Sequence, residues 1–131
     1  MTELQETVTI ILPLPNKVLS PNYTCGSIGG RFAKASATKR YRRLAKEAAE
    51  AEGIDTAPWQ KVRVSVTFFH KVNRKRDEDN AIGSLKAAYD GIIDSGLVPD
   101  DDSRHMRREI PAFSIDKEFP RVMIIIERVY E

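Results

Sequence analysis

The strongest constraint on the fold lies between residues 61 and 69, where Val62, Val64, Val66 and Phe68 alternate with Arg63, Ser65 and Thr67. Successive side chains of a strand point to opposite faces, so this segment predicts a strand with one buried face and one wet face. Such a strand needs a cover, and helical periodicity on both sides of it supplies one. Residues 37–52 bring Tyr41, Leu44, Ala45 and Ala48 to one side, with Ser36 or Thr38 available as a cap and Gly53 as a stop. Residues 79–95 do the same with Ile82, Leu85, Tyr89, Ile92 and Ile93, and Gly96 ends them. Val8 to Leu14, closed by Pro13 and Pro15, predicts a strand that runs out into a turn. Residues 15–35 predict a long loop, and 104–110 and 121–129 predict two closing strands separated by a proline-containing loop. The order strand, helix, strand, helix, strand, strand predicts an α+β fold. Its mixed β-sheet has about four strands with two helices packed on it.

A chain of 131 residues can bury a real core but is too short for two ordinary domains, so one compact domain over residues 1–131 is expected. Its 41% hydrophobic and 31% charged residues exclude the disordered and membrane classes. No apolar run is long enough to span a bilayer. Glu3 and Glu6 stand where a secretory leader would be basic, so the protein is expected in the cytoplasm, without a membrane partner. Cys25 is the single cysteine, which excludes an internal disulfide and a Cys-rich zinc site, and its neighbours predict a loop.

Net charge, at +2, says little about partners, but its distribution says more. Between Thr7 and Lys46 there is no acidic residue, while Lys17, Arg31, Lys34, Lys39, Arg40, Arg42, Arg43 and Lys46 are basic. From Asp77 to Asp102 eight acids face the single base Lys86. A basic half beside an acidic cluster suits a polyanion held near a cation.

Within Arg76-Asp77-Glu78-Asp79-Asn80, two carboxylates stand two positions apart, just after a strand and at the start of a helix. In extended backbone, side chains at i and i+2 share a direction, so Asp77 and Asp79 can converge while Glu78 turns aside. Magnesium takes hard oxygen ligands, commonly one or two carboxylates with waters and phosphate oxygens, and a helix N-terminus favours a nearby phosphate. The competing structural roles are an N-cap for Asp79 and a pairing of Asp77 with Arg74 or Arg76. A calcium loop is excluded, because Ala81 falls where the next ligand belongs and no glycine follows in place.

Asp100, Asp101 and Asp102 offer a third carboxylate, or simply a solvated acidic surface. Lys86 lies seven positions after Asp79, about two helical turns at a rise of roughly 10 Å, with its side chain leaning back toward the helix start. It can offset charge on a scissile phosphate or form an ordinary i,i+4 pair with Asp90.

Taken together, Arg76-Asp77-Glu78-Asp79-Asn80, then Lys86-Ala87-Ala88-Tyr89-Asp90-Gly91, then Asp94-Ser95-Gly96-Leu97-Val98-Pro99-Asp100-Asp101 resembles the RusA-type Holliday junction resolvases. Leu12-Pro13-Leu14-Pro15, with Pro21-Asn22 after it, resembles the family's N-terminal proline segment. The linked pattern spans most of the chain, and its spacing from Asp90 through Gly96 to Asp101 is kept. Three extra residues between Asn80 and Lys86 set the lysine a turn further on than in shorter members, and Asp102 is an additional acid. The resemblance implies that Asp77, Asp79 and Asp101 are catalytic and bind Mg2+, and that Lys86 is the catalytic lysine. It further implies a homodimer that binds four-way DNA junctions and makes paired nicks in recombination and repair. Arg40, Arg42, Arg43, Lys71, Arg74, Lys75 and Arg76 would then contact phosphates, which fixes position without reading sequence.

Two rivals stay open from the residues themselves: a non-catalytic basic DNA-binding module, and a metal-dependent hydrolase of small nucleotides. His70 and His105 lack ligand-like spacing and are expected at strand ends or on the surface. Trp59 is expected in the core or at its edge, while Tyr23 is free either to stack on a base or to serve the loop.

Overall fold

A computed structural model describes residues 6–21, 23 and 26–130. The chain runs through β1 (Thr7–Leu12), α1 (Ile28–Glu50), β2 (Val62–His70), α2 (Glu78–Ser84), α3 (Lys86–Asp94), β3 (Met106–Arg108), β4 (Ala112–Ile115) and β5 (Arg121–Arg128). A short 3-10 turn, Lys17–Leu19, lies between β1 and α1. This is the α+β arrangement expected, with five strands in a mixed sheet.

β5 occupies the middle of the sheet. It pairs antiparallel with β1 on one side and with β2 on the other. Beyond β2 the edge is shared by β3, parallel to Val62–Val64, and β4, parallel to Thr67–His70. The register lines buried side chains in rows across three strands: Val8, Ile126 and Val64; Ile10, Ile124 and Val66; Leu12, Val122 and Phe68. The alternation along β2 is therefore what places the core, and Tyr41, Ala45 and Ala49 of α1 with Ala88 and Ile92 of α3 cover it. Removing a side chain such as Ile124, fully buried in the central strand, costs about 2–5 kcal/mol.

The two covering helices cross closely at Gly91, where a Cβ would run into the Arg42 carbonyl oxygen and Ala45. Arg42 and Asp94 tie the same pair together, with Nε to Oδ2 at 2.5 Å and Nη2 to Oδ1 at 2.9 Å. Positive φ at Gly53 (60°) and Gly96 (86°) turns the chain out of α1 and α3, as expected of glycines at helix ends.

The structure corrects four expectations. α1 begins at Ile28, well before residue 37, because Ser27 Oγ accepts a hydrogen bond from Gly30 N at 3.1 Å and so caps it. Thr38 lies inside the helix and donates to the Lys34 carbonyl. Much of the expected loop 15–35 is therefore helix and 3-10 turn, and only part of it connects elements. The helix expected over 79–95 is two helices meeting at Leu85. The connection expected between the two closing strands contains β4, an edge strand that draws its pairing from β2. Cys25 and Asn22 fall outside the described residues.

Trp59 is fully buried, as expected, with its indole N–H on Thr56 Oγ1 at 2.8 Å. No helix among the described residues is long and apolar enough to cross a membrane.

Candidate active site

The acidic motif opens α2. Asp77 is the last extended residue before it (φ −97°, ψ 115°), and its Oδ1 accepts from the backbone N–H groups of Asp79 (3.0 Å) and Asn80 (3.4 Å). Asp77 is thus the N-cap, the role that sequence alone offers to Asp79. Capping uses one oxygen. Among the described residues, Oδ2 of Asp77 and the whole carboxylate of Asp79 have no hydrogen-bond or ion-pair partner. Both are exposed at the positive end of a helix, where a negative side chain is stabilised.

α2 is held from the N-terminal side. Ser20 Oγ donates to Asn80 Oδ1 at 2.6 Å, and the ring of Pro21 lies so close to Gly83 that any Cβ there would collide with it. The proline segment singled out in the sequence therefore packs directly on the helix that carries Asp79.

Beside Asp77 opens a cleft of about 610 Å³. Phe68, His70 and Phe113 contribute its aromatic wall, and Lys17, Lys75 and Arg76 line it with positive charge. His70 ends β2, as expected of a strand-end histidine. Its ring stacks on Phe68 (centroids 6.0 Å apart, 7° between planes) and on Phe113 (6.2 Å, 25°). Burial, helped by the charge of Arg76, holds its pKa below the usual histidine value and so favours the neutral imidazole.

The second half of the motif gathers around Lys86, now the first residue of α3. Its Nζ lies 2.6 Å from Asp101 Oδ2 and 3.1 Å from Asp90 Oδ1, so the i,i+4 pair with Asp90 forms alongside a bond to the acidic loop. The hydrogen bond from Lys86 holds the Asp101 carboxyl below the ordinary carboxylate range, and the same bond raises the lysine. Arg108 supports the loop by donating to the Asp101 carbonyl at 2.9 Å, while its guanidinium sits over the Tyr89 ring at 5.0 Å. Burial pushes the Tyr89 hydroxyl up to about 12.

The three neighbouring acids differ in duty. Asp100 Oδ1 accepts from the Asp101 backbone N–H, whereas Asp102 Oδ1 accepts from the N–H groups of Arg104 (3.0 Å) and His105 (3.1 Å) and shapes the turn into β3. Asp101 is the one paired with Lys86. His105 itself binds the Gln60 carbonyl through Nδ1 at 2.7 Å.

Among the described residues, no three His, Cys, Asp or Glu side chains stand close enough to hold one ion together. The donor chemistry nonetheless suits magnesium, which needs only one or two carboxylates when phosphate oxygens and waters complete its shell. Asp77 and Asp79 have oxygens to offer, while Asp101 is engaged by Lys86.

The basic residues divide in the same way. Arg42 is committed to Asp94, Arg43 lies 3.9 Å from Glu47, and Arg76 donates to the Val72 carbonyl. Arg40, Lys71, Arg74 and Lys75 are exposed and have no partner among the described residues. Sequence reasoning missed three contributors: Asn80 as the tie to Ser20, Arg108 beneath Asp101, and Phe113 in the cleft wall. Only Asn80 had a signal, its place within the acidic motif.

No curated protein matches this sequence. One family profile, described as Endodeoxyribonuclease RusA, matches residues 15–127, which takes in Pro15 and Pro21 of the proline segment, the α2 motif and the Lys86–Asp101 pair. That match covers most of the chain, and the protein belongs to the RusA family of endodeoxyribonucleases, hydrolases that act on the phosphodiester bonds of DNA.

Proposed function

We propose that the chain is a magnesium-dependent, structure-selective endonuclease that resolves four-way DNA junctions as a homodimer, by paired nicks, in recombination and repair. A cytoplasmic location belongs to the same proposal. The observation that carries it is the pair of partnerless carboxylates at the start of α2, Asp79 and the Oδ2 side of Asp77, beside a cleft lined with cations. Membership in an endodeoxyribonuclease family favours this over a non-catalytic DNA-binding module and over a hydrolase of small nucleotides.

In this proposal Asp77 and Asp79 hold the ion together with phosphate oxygens and waters, and Asp101, the third acid of the family pattern, acts through its bond to Lys86. Magnesium, when bound, supplies the Lewis acidity that water needs to attack a phosphodiester at neutral pH. The chain does the rest. Asp77 keeps the first turn of α2 rigid, so that Asp79 projects from a fixed point. Lys86 holds Asp101 in place and carries a positive charge toward the phosphate, where it offsets negative charge that builds as the bond breaks. Arg40, Lys71, Arg74 and Lys75 grip flanking phosphates, with Arg43 and Arg76 at the margins, and Arg42 secures α1 against α3.

A gel assay comparing a four-way junction, a flap and linear duplex, with and without magnesium, tests substrate and cofactor together. The junction is cut only with the metal, and Asp79→Asn binds it without cutting. Cleavage retained by Asp79→Asn, or no cleavage of the junction in magnesium, overturns the proposal.

A further inference from the structure

The aromatic wall of the cleft has no part in holding an ion, yet it is built into the fold beside Asp77. Phe68 and His70 lie two residues apart on one face of β2, and Phe113 reaches them from β4, its ring 5.6 Å from that of Phe68. Phe68 is buried, whereas His70 and Phe113 are part-exposed at the top of the stack. A second depression of about 330 Å³ lies next to the first, and the two share His70, Arg76 and Phe113 as walls. The two rings therefore form a ridge between two hollows, with Arg74 on one side and Lys75 on the other.

Flat, partly exposed rings flanked by cations match the chemistry of a nucleobase with its phosphate, since bases stack on aromatic faces while Lys and Arg track the backbone. Asn16 and Asn80 are also among the residues that line the hollow beside Asp77. A paired, stacked base in linear duplex cannot reach such rings. A base next to a branch point is freed more cheaply, because the continuous duplex that holds an interior base on both sides is interrupted there.

We infer that the cleft beside Asp77 receives an unstacked nucleobase of the DNA strand, docked against the His70 and Phe113 rings with its phosphates on Lys75 and Arg76. The inference rests on the proposed nuclease function and adds to it a subsite for the base, through which the enzyme distinguishes branched from linear DNA. Its sequence origin is a contact between residues 43 positions apart that the parallel pairing of β2 with β4 creates.

The test uses four-way junctions carrying 2-aminopurine at successive positions around the branch, mixed with the full chain in EDTA so that binding is read without cutting. At one position the emission changes on binding. The change is lost in His70→Ala and Phe113→Ala but kept in His70→Phe, which retains a ring. Both alanine variants bind the unmodified junction roughly fivefold or more weakly, while their affinity for linear duplex is unchanged. Circular dichroism confirms that each variant is folded, and His70→Ala serves if Phe113→Ala is not. No emission change at any position overturns the inference, as does a change that persists without the rings or an equal loss of affinity for junction and duplex. Base docking without magnesium-dependent cutting sinks the nuclease proposal and leaves the subsite standing. Cutting without base docking does the reverse.

Discussion

Lys86 Nζ lies 2.6 Å from Asp101 Oδ2, a link between the start of α3 and the loop that follows its end. Because the partners share one task, their losses do not add. Lys86→Met and Asp101→Asn are each expected to lower single-turnover cleavage by roughly 10²–10³-fold, and the double variant to fall no further than the worse single one. Rates that multiply in the double variant count against a joint role.

Pro21 against Gly83 makes a second prediction. Gly83→Ala forces the ring away from α2 and costs about 1–3 kcal/mol in urea denaturation. Pro21→Gly, placed in the same chain, recovers most of that loss. Gly91→Ala costs more and has no comparable cure, since its obstacle is the main-chain oxygen of Arg42. Equal stabilities for Gly83→Ala and wild type refute the close approach.

Charge removal separates the cations that grip DNA from those that hold the fold. Glutamine at Lys71, Arg74 or Lys75 is expected to weaken binding to junctions of any sequence and to reduce the slope of log affinity against log salt by about 0.9 for each phosphate no longer neutralised. Arg42→Gln leaves the slope as it was and lowers the melting temperature instead, because that guanidinium is already paired with Asp94. A reduced slope for Arg42→Gln contradicts this division.

The same pair sets a pH dependence. The Asp94 carboxyl is held below the ordinary carboxylate range, chiefly by its hydrogen bond from Arg42. A carboxyl whose folded pKa is depressed adds stability that is fully present above its unfolded value, near 4, and is lost as pH falls through the lower folded value. Asp94→Asn should therefore melt earlier than wild type at neutral pH, with the two melting curves converging once the pH has fallen through the lowered folded value. Other depressed carboxyls, Asp101 and Asp116 among them, lower both profiles on acidification. A constant gap between the curves down to the acid end excludes the assignment.

Local pattern made some of this legible. Val62, Val64, Val66 and Phe68 announced β2 because a half-buried strand writes its two faces into alternate residues. The first turns of α1 were hidden, since Ser27-Ile28-Gly29-Gly30 reads as loop by propensity and Ile28 and Phe32 remain exposed in the fold. β4 was hidden as well, because Ala112–Ile115 buries little and takes its structure from pairing with β2. At the candidate site, the residue types at 77, 79, 86 and 101 were legible. The break at Leu85, the choice of Asp77 as cap and the duty of Asp102 were not, because each depends on which backbone groups the turns leave exposed.

β5 comes after the other strands in chain order, yet it sits between β1 and β2, which have no ladder with each other. A ribosome that has made residues 1–120 has therefore synthesised β1 to β4 and the three α-helices with the middle strand of their sheet still missing. A chain truncated before residue 121 would lack the strand that joins β1 to β2, and with it the middle of the sheet on which α1 and α3 pack.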